Sequence, residues 1–204
     1  MAEDFTQVSP NSTGNKMRTR RKVVGANTVH EQYVAQSADK TYYIWVPAQA
    51  LAQNKLHLAC LNTSATQILK LRKLFIINAA LAAVTGVGVQ FDIKRISTIT
   101  AGTAVTPNPV DTADGALAGA TVVFAPSAAT EGVLLYSWFT NNDEIGLTNA
   151  FPTAMLQQLI SNVPEGAEIK EIVMRQNEGF TVKQITNTTI GSYAVLAVIT
   201  AEDL

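Results

Sequence analysis

This chain of 204 residues has one cysteine, two histidines and little charge of either sign. A lone Cys60 cannot close an internal disulfide and cannot build a cysteine-rich metal site; inside KLHLACL it reads as a small core thiol. His30 and His57 have no Asp, Cys or Ser partner at a diagnostic spacing. The histidine pair of a metalloprotease helix, the serine elbow of a hydrolase and the phosphate-binding glycine loop are all missing. GVGVQF has the first two glycines of a dinucleotide fingerprint, but Phe91 stands in the third place and the segment reads as a strand. Neither NNDE at 141–144 nor DTADG at 111–115 has the ligand spacing of a calcium loop. These absences point away from an enzyme: no catalytic residue, no cofactor and no metal ligand is expected.

Long apolar runs are lacking too. The longest, LFIINAALAAVTGVGV, is broken by Asn78, Thr85, Gly86 and Gly88 and falls short of the roughly 20 residues of a membrane span. The opening MAEDFTQVSPNSTGNKMRTRRK has no apolar segment behind its charges, as a secretory signal would. A protein made in a cytoplasm, with no membrane partner, is the expectation.

Charged residues make up 15% of the chain, below the roughly 25% usual for soluble domains. A surface so poor in charge leans on Thr, Ser, Asn, Gln and Ala, or is covered by partners. The charge is also unevenly placed. Residues 1–30 hold five of the fifteen bases (Lys16, Arg18, Arg20, Arg21, Lys22) and two of the sixteen acids, which leaves ten bases against fourteen acids elsewhere. Between Arg95 and Lys170 there is no base, whereas Asp111, Asp114, Glu131, Asp143, Glu144, Glu165 and Glu168 all fall there. A surface built from that half cannot grip phosphates. Residues 1–28 read as a basic extended arm whose Lys16, Arg18, Arg20, Arg21 and Lys22 meet an acidic surface of a neighbour. The arm lacks the interleaved aromatics of single-strand binders, so nucleic acid is not the expected partner.

What the chain does have is β patterning. In VGVQFDIKRI, Val87, Val89, Phe91 and Ile93 alternate with Gly88, Gln90, Asp92 and Lys94, which predicts one buried and one wet face. HEQYVAQ, TYYIWVP, KLHLACLN, LKLRKLFIIN, TVVFAP, GVLLYSWF, AEIKEIVMRQ, EGFTVKQIT and SYAVLAVITAE read as further strands. His57, between Leu56 and Leu58, is expected at the surface or half-buried. PTAMLQQLI suggests a short helix within a loop insertion at about 140–167. Connections this short make the strands antiparallel. The predicted fold is all-β, a jelly-roll-like antiparallel β-sandwich over 29–204, with residues 97–120 crossing the surface without a core pattern. Tyr42, Tyr43 and Trp45, with Tyr136, Trp138 and Phe139, suit core or interface packing better than a sugar-binding groove.

RISTITAGTAVTPNPVDTADGALAGATV, followed by VMRQNEGFTVKQIT and a terminal GSYAVLAVITAE, resembles virion structural proteins of tailed bacteriophages. Arg95, Thr100, Gly102, Thr103, Val105, Thr106 and Pro107 carry the first part of the likeness, and Arg175, Glu178 and Gly179 the second. The resemblance spans about residues 70–204. It implies a capsid decoration (cement) protein on the head exterior, made in the bacterial host, or else a tail or baseplate component. Its partners would be the phage major capsid protein and further copies of itself, with a trimer favoured. Thr103, Val105, Thr106, Pro107, Asp111 and Asp114 would then form a contact loop. A carbohydrate- or receptor-binding module is the alternative from a different class.

Overall fold

The computed structural model describes residues 3–7, 16–24, 27–32, 40–79, 87–142, 156–161 and 172–204. It divides into two units, Met1–Ala38 and Asp39–Leu204.

The smaller unit is an antiparallel meander of β1 (Glu3–Gln7), β2 (Lys16–Val24) and β3 (Asn27–Gln32), in the order β1-β2-β3. The basic run expected as an extended arm is therefore a middle strand. Arg20 lies opposite Glu3 on one side and Glu31 on the other, so acids stand in register with the densest part of the positive charge. Thr19, Val23, Thr28 and Val29 supply the β-branched residues that favour a pleated strand.

The larger unit is all-β: two antiparallel sheets packed as a sandwich, with no α-helix among the described residues. Its strands are β4 (Lys40–Ala50), β5 (Leu56–Asn62), β6 (Gln67–Asn78), β7 (Val87–Thr100), β8 (Thr103–Ala104) and β9 (Asn108–Pro109). A 3-10 turn at Thr112–Asp114 leads on to β10 (Ala120–Phe124), β11 (Ala128–Asn142), β12 (Leu156–Ser161), β13 (Ile172–Met174), β14 (Glu178–Gln184) and β15 (Ser192–Asp203). The first sheet runs β11-β7-β14-β5-β10-β8. The second runs β12-β6-β15-β4-β9, with β13 also on β6. The helix suggested at PTAMLQQLI is in part a strand: β12 pairs with β6, Leu156 opposite Ile77. The rest of the 140–167 insertion lies outside the described residues beyond Asn142.

One core joins the sheets. Val89, Phe91 and Ile93 of β7 are buried as the alternation requires, together with Phe180 and Val182 of β14, Ile44 and Val46 of β4, and Val195, Ala197 and Ile199 of β15. Cys60 is buried in the same core, and burial pushes its thiol up to about 12, so it is inert at neutral pH. Gly179 is required by packing, because a Cβ there would collide with the Cys60 carbonyl oxygen and crowd Ile96. Phe180 fills the layer next to it. Phe180→Ala is expected to cost about 3–5 kcal/mol, because a core shared by two sheets cannot collapse onto the hole; denaturant unfolding checks this.

His57 departs from the alternation. It is fully buried rather than superficial. The register between β14 and β5 skips it, passing from Val182 opposite Leu58 to Lys183 opposite Leu56, and such a bulge re-aims a side chain. The ring then stands edge-on to Phe91, with centroids 5.5 Å apart, and its Nε2 lies 3.4 Å from Oε1 of the buried Gln184. Gln49 of the opposite sheet donates through Nε2 to the His57 carbonyl at 2.9 Å. Burial lowers the imidazole to about 4. Because the folded value lies below the unfolded value near 6.5, the stability that His57 contributes is complete above pH 6.5 and is lost as pH falls from there toward 4. The loss is on the order of 3 kcal/mol. Replacing His57 by Gln is expected to flatten unfolding free energy against pH across that window.

Candidate interaction surfaces

The loop predicted as a contact surface is partly committed to the fold. β7 ends at Thr100, and the chain reverses through Ala101 (φ 52°) and Gly102 (φ 107°), where a Cβ on Gly102 would press on Pro126. β8 then pairs with β10 in the first sheet, while β9 pairs with β4 in the second, Pro109 opposite Tyr42. The segment thus crosses from one sheet to the other. Val105 donates its N–H to the Val122 carbonyl at 2.9 Å and packs on the core, as does Leu117, and Pro107 is buried. This corrects the expectation of a connection without core contacts. Thr103, Thr106 and Asp111 are exposed and Asp114 is half-buried; the Asp111 carboxylate is turned back to accept from the Ala113 N–H at 2.9 Å. Lys16, Arg18, Arg20, Arg21 and Lys22 all lie on β2, in the other unit.

The two parts of the phage-like pattern meet in space. Arg95 lies opposite Phe180, donates through Nη1 to the Val173 carbonyl and stands 4.0 Å from the Glu178 carboxylate. Glu178 also accepts from the Arg175 N–H at 3.0 Å, closing the turn around Asn177 (φ 62°). Arg95, Arg175, Glu178 and Gly179 therefore set the β13–β14 turn against β7.

The charged groups on the outer face of the first sheet are paired within it, while Phe139 of β11, opposite Gln90, is exposed there. Lys94 and Lys183 each donate to Glu131, at 2.8 and 2.6 Å, tying β7 and β14 to β11. Burial pushes the Glu131 carboxyl up, but hydrogen bonds and charge from Lys183 and Lys94 outweigh it and hold the group below its usual range. Asp92, expected on a wet face, is almost fully buried and accepts from Ser137 Oγ at 2.7 Å and Gln90 Nε2 at 3.1 Å. A groove of about 440 Å³ opens beside Glu131, bordered by Lys55, Lys183 and residues 125–129. Its two lysines are occupied: Lys183 by Glu131, and Lys55 by the Ala50 carbonyl at 2.7 Å.

The outer face of the second sheet is different. Trp45 lies opposite Leu196, and Leu196 opposite Phe75, which makes an apolar row across three strands. Next to it Tyr43 lies opposite Val198, and Val198 opposite Lys73. Trp45 is 48% exposed and Tyr43 44%. Tyr42, their sequence neighbour, is in the core, while Tyr136, Trp138 and Phe139 lie on β11 in the other sheet, so the six aromatics do not share a groove. Sequence reading missed the row because strands distant in the chain supply it. Leu196 and Phe75 sit in runs apolar on both faces, where alternation gives no direction.

Among the described residues no group of three or more His, Cys, Asp or Glu is placed to hold a metal ion, and no helix is long and apolar enough to cross a membrane. No family model, no curated protein and no solved structure matches the chain.

Glu131→Ala leaves two half-buried ammonium groups without their shared acceptor. The expected loss is about 1–3 kcal/mol, read from the denaturation midpoint, and a double-mutant cycle with Lys183→Met should recover part of it.

Proposed function

We propose that this chain is a non-enzymatic structural protein of a bacteriophage virion, a decoration protein that binds the exterior of the assembled head through the major capsid protein and stabilises it. The observation that carries this reading is the Trp45–Leu196–Phe75 row with Tyr43 beside it. The water-facing side of an antiparallel sandwich is ordinarily polar, and exposed Trp45 and Tyr43 flanked by half-buried Leu196 and Phe75 in a charge-poor chain mark a face that a partner covers. The resemblance to phage virion proteins points the same way, while Arg95, Glu178 and Gly179 themselves serve the architecture of the sandwich. In this reading the exposed Thr103, Thr106 and Asp111 add contacts of their own to the shell.

Such a protein acts by linkage. Binding the closed shell and not its separated subunits makes opening costlier by the free energy of binding. A second reading rests on the same aromatics: Tyr43 and Trp45 side by side offer a stacking platform for sugar rings, as a receptor-binding module would.

The test is co-sedimentation of the purified protein with heads made by the encoding phage genome and stripped of this chain. Binding that raises head resistance to heat is expected. Trp45→Lys is expected to weaken it by about 2 kcal/mol, roughly thirtyfold, with unchanged folding. Absence from purified virions and no binding to stripped heads would overturn the reading, and glycan-array binding abolished by Trp45→Ala would install the second one.

A further inference from the structure

We infer that the groove beside Glu131 is a binding site for an organic carboxylate, a ligand with one anionic group and a short apolar body, held by Lys55, Lys183 and Asn54. The site stands on its own geometry, independently of any role in a virion.

The groove measures about 440 Å³, within the range of small-molecule sites. Asn54 and Lys55, from the turn between β4 and β5, form one part of its wall, and residues 125–127, from the turn between β10 and β11, form another. Both turns are pinned to the sandwich. The Lys55 carbonyl accepts from the Gln184 N–H at 2.8 Å, and the Ser127 N–H donates to the Thr100 carbonyl at 3.1 Å. Each also holds a non-glycine residue in the left-handed region, Asn54 at φ 59° and Ala125 at φ 46°. Asparagine tolerates that conformation. Alanine, with a Cβ and no polar side chain to bond locally, is the rarer case, and backbone of this kind clusters where ligands are clamped.

The lining chemistry selects the ligand. An ammonium group has three N–H donors. Lys183 gives one to Glu131 and Lys55 gives one to the Ala50 carbonyl; among the described residues no further acceptor meets either, and the Asn54 side chain has no partner. The Lys183 side chain is only 17% exposed, so bulk water competes weakly for its remaining donors. Lys55, Lys94 and Lys183 stand around the single carboxylate of Glu131, which leaves positive charge for an anion. Leu56, Pro126 and three alanines make the rest of the wall largely apolar. Among the described residues no arginine lines the groove, so the bidentate fork that suits phosphate is missing. Spare donors beside an apolar wall fit a carboxylate on a short aliphatic body.

Nuclear magnetic resonance titration of the full chain, labelled with nitrogen-15 and held at constant ionic strength, tests this with acetate, isovalerate and the neutral isovaleramide as probes. Saturable shifts are expected at residues 54–56, 125–129 and 183, with isovalerate bound at least about threefold tighter than acetate and isovaleramide not bound. Lys55→Met is expected to raise the isovalerate dissociation constant at least about tenfold, as is Ala128→Asp, which adds a repelling carboxylate at an exposed position of the wall. Lys73→Met, at an exposed lysine of the second sheet, should change nothing. Circular dichroism identifies any variant that fails to fold, and the other groove variant then decides. N-Acetyl-leucine bound more tightly than isovalerate would assign the carboxylate to a chain end, and the reverse to a free small molecule; either upholds the site. No saturable shift with any carboxylate, equal binding of isovaleramide, or binding that neither groove variant weakens would overturn the inference. None of these results bears on the head-binding assay, whose failure would in turn leave this site standing.

Discussion

The larger unit depends on two strands from its C-terminal end, each inserted into the middle of a different sheet. β14 lies between β5 and β7, and β15 between β4 and β6. Without them each sheet falls into halves whose inner edges have no hydrogen-bond partner, and the core loses Phe180, Val182, Val195 and Ile199 together. Neither sheet can close before β14 and β15 have been made. Pairing is almost wholly non-local, which makes such folds slow to form and leaves open edges during synthesis. Gly179 and the Arg95–Glu178 contact serve this step: the glycine lets β14 approach Cys60 and Ile96, and the arginine holds the preceding turn.

Once the strands are inserted, both outer faces pair charges, the second through Lys70–Glu202 and Lys40–Asp203, and they differ in the aromatic residues they expose. The first sheet pairs its charges internally: Glu131 takes two lysines, and Asp92 takes Ser137 and Gln90. The second presents Trp45, Tyr43, Leu196 and Phe75 outward. In a chain with so few charges this division matters. Charge paired within a sheet is unavailable to steer partners.

Much of the architecture was legible in the sequence where period-two alternation is clean. Val89, Phe91 and Ile93 point inward as the pattern requires; the strands are antiparallel as expected, although among the described residues none of the larger unit pairs with its neighbour in sequence, so short turns are not what sets the pairing. Alternation failed where the register slips. His57 is read as superficial from its neighbours, yet a bulge opposite Lys183 turns it into the core, and a bulge depends on a partner strand more than 120 positions away. Asp92 failed for a related reason: its face is the predicted one, but Ser137 and Gln90 cover it. The basic run reads as an arm because its cations hide any apolar period, whereas the acids that stand opposite, Glu3 and Glu31, belong to flanking strands. Segment 97–120 looked like a surface connection because its core-facing members are single residues, buried Pro107 and half-buried Val105 and Leu117, set among Thr, Ala and Gly.

The residues that suggested a phage protein are spent on the fold. Arg95 and Glu178 fix a turn, Gly179 admits a strand, Gly102 reverses the chain and Val105 closes the end of the core. A pattern of this kind reports how a sandwich is built and is silent about what the sandwich touches. The residues that face water answer that second question, and they carry weak sequence signals because apolar residues on an outer face look like core. A chain that keeps Trp45, Tyr43 and Phe139 exposed while pairing almost every charge beside β11 bears the cost of apolar surface in water. At about 25 cal/mol per Å², an exposed aromatic side chain represents a few kcal/mol that association can recover. The outward residues are therefore the place where function has to be sought.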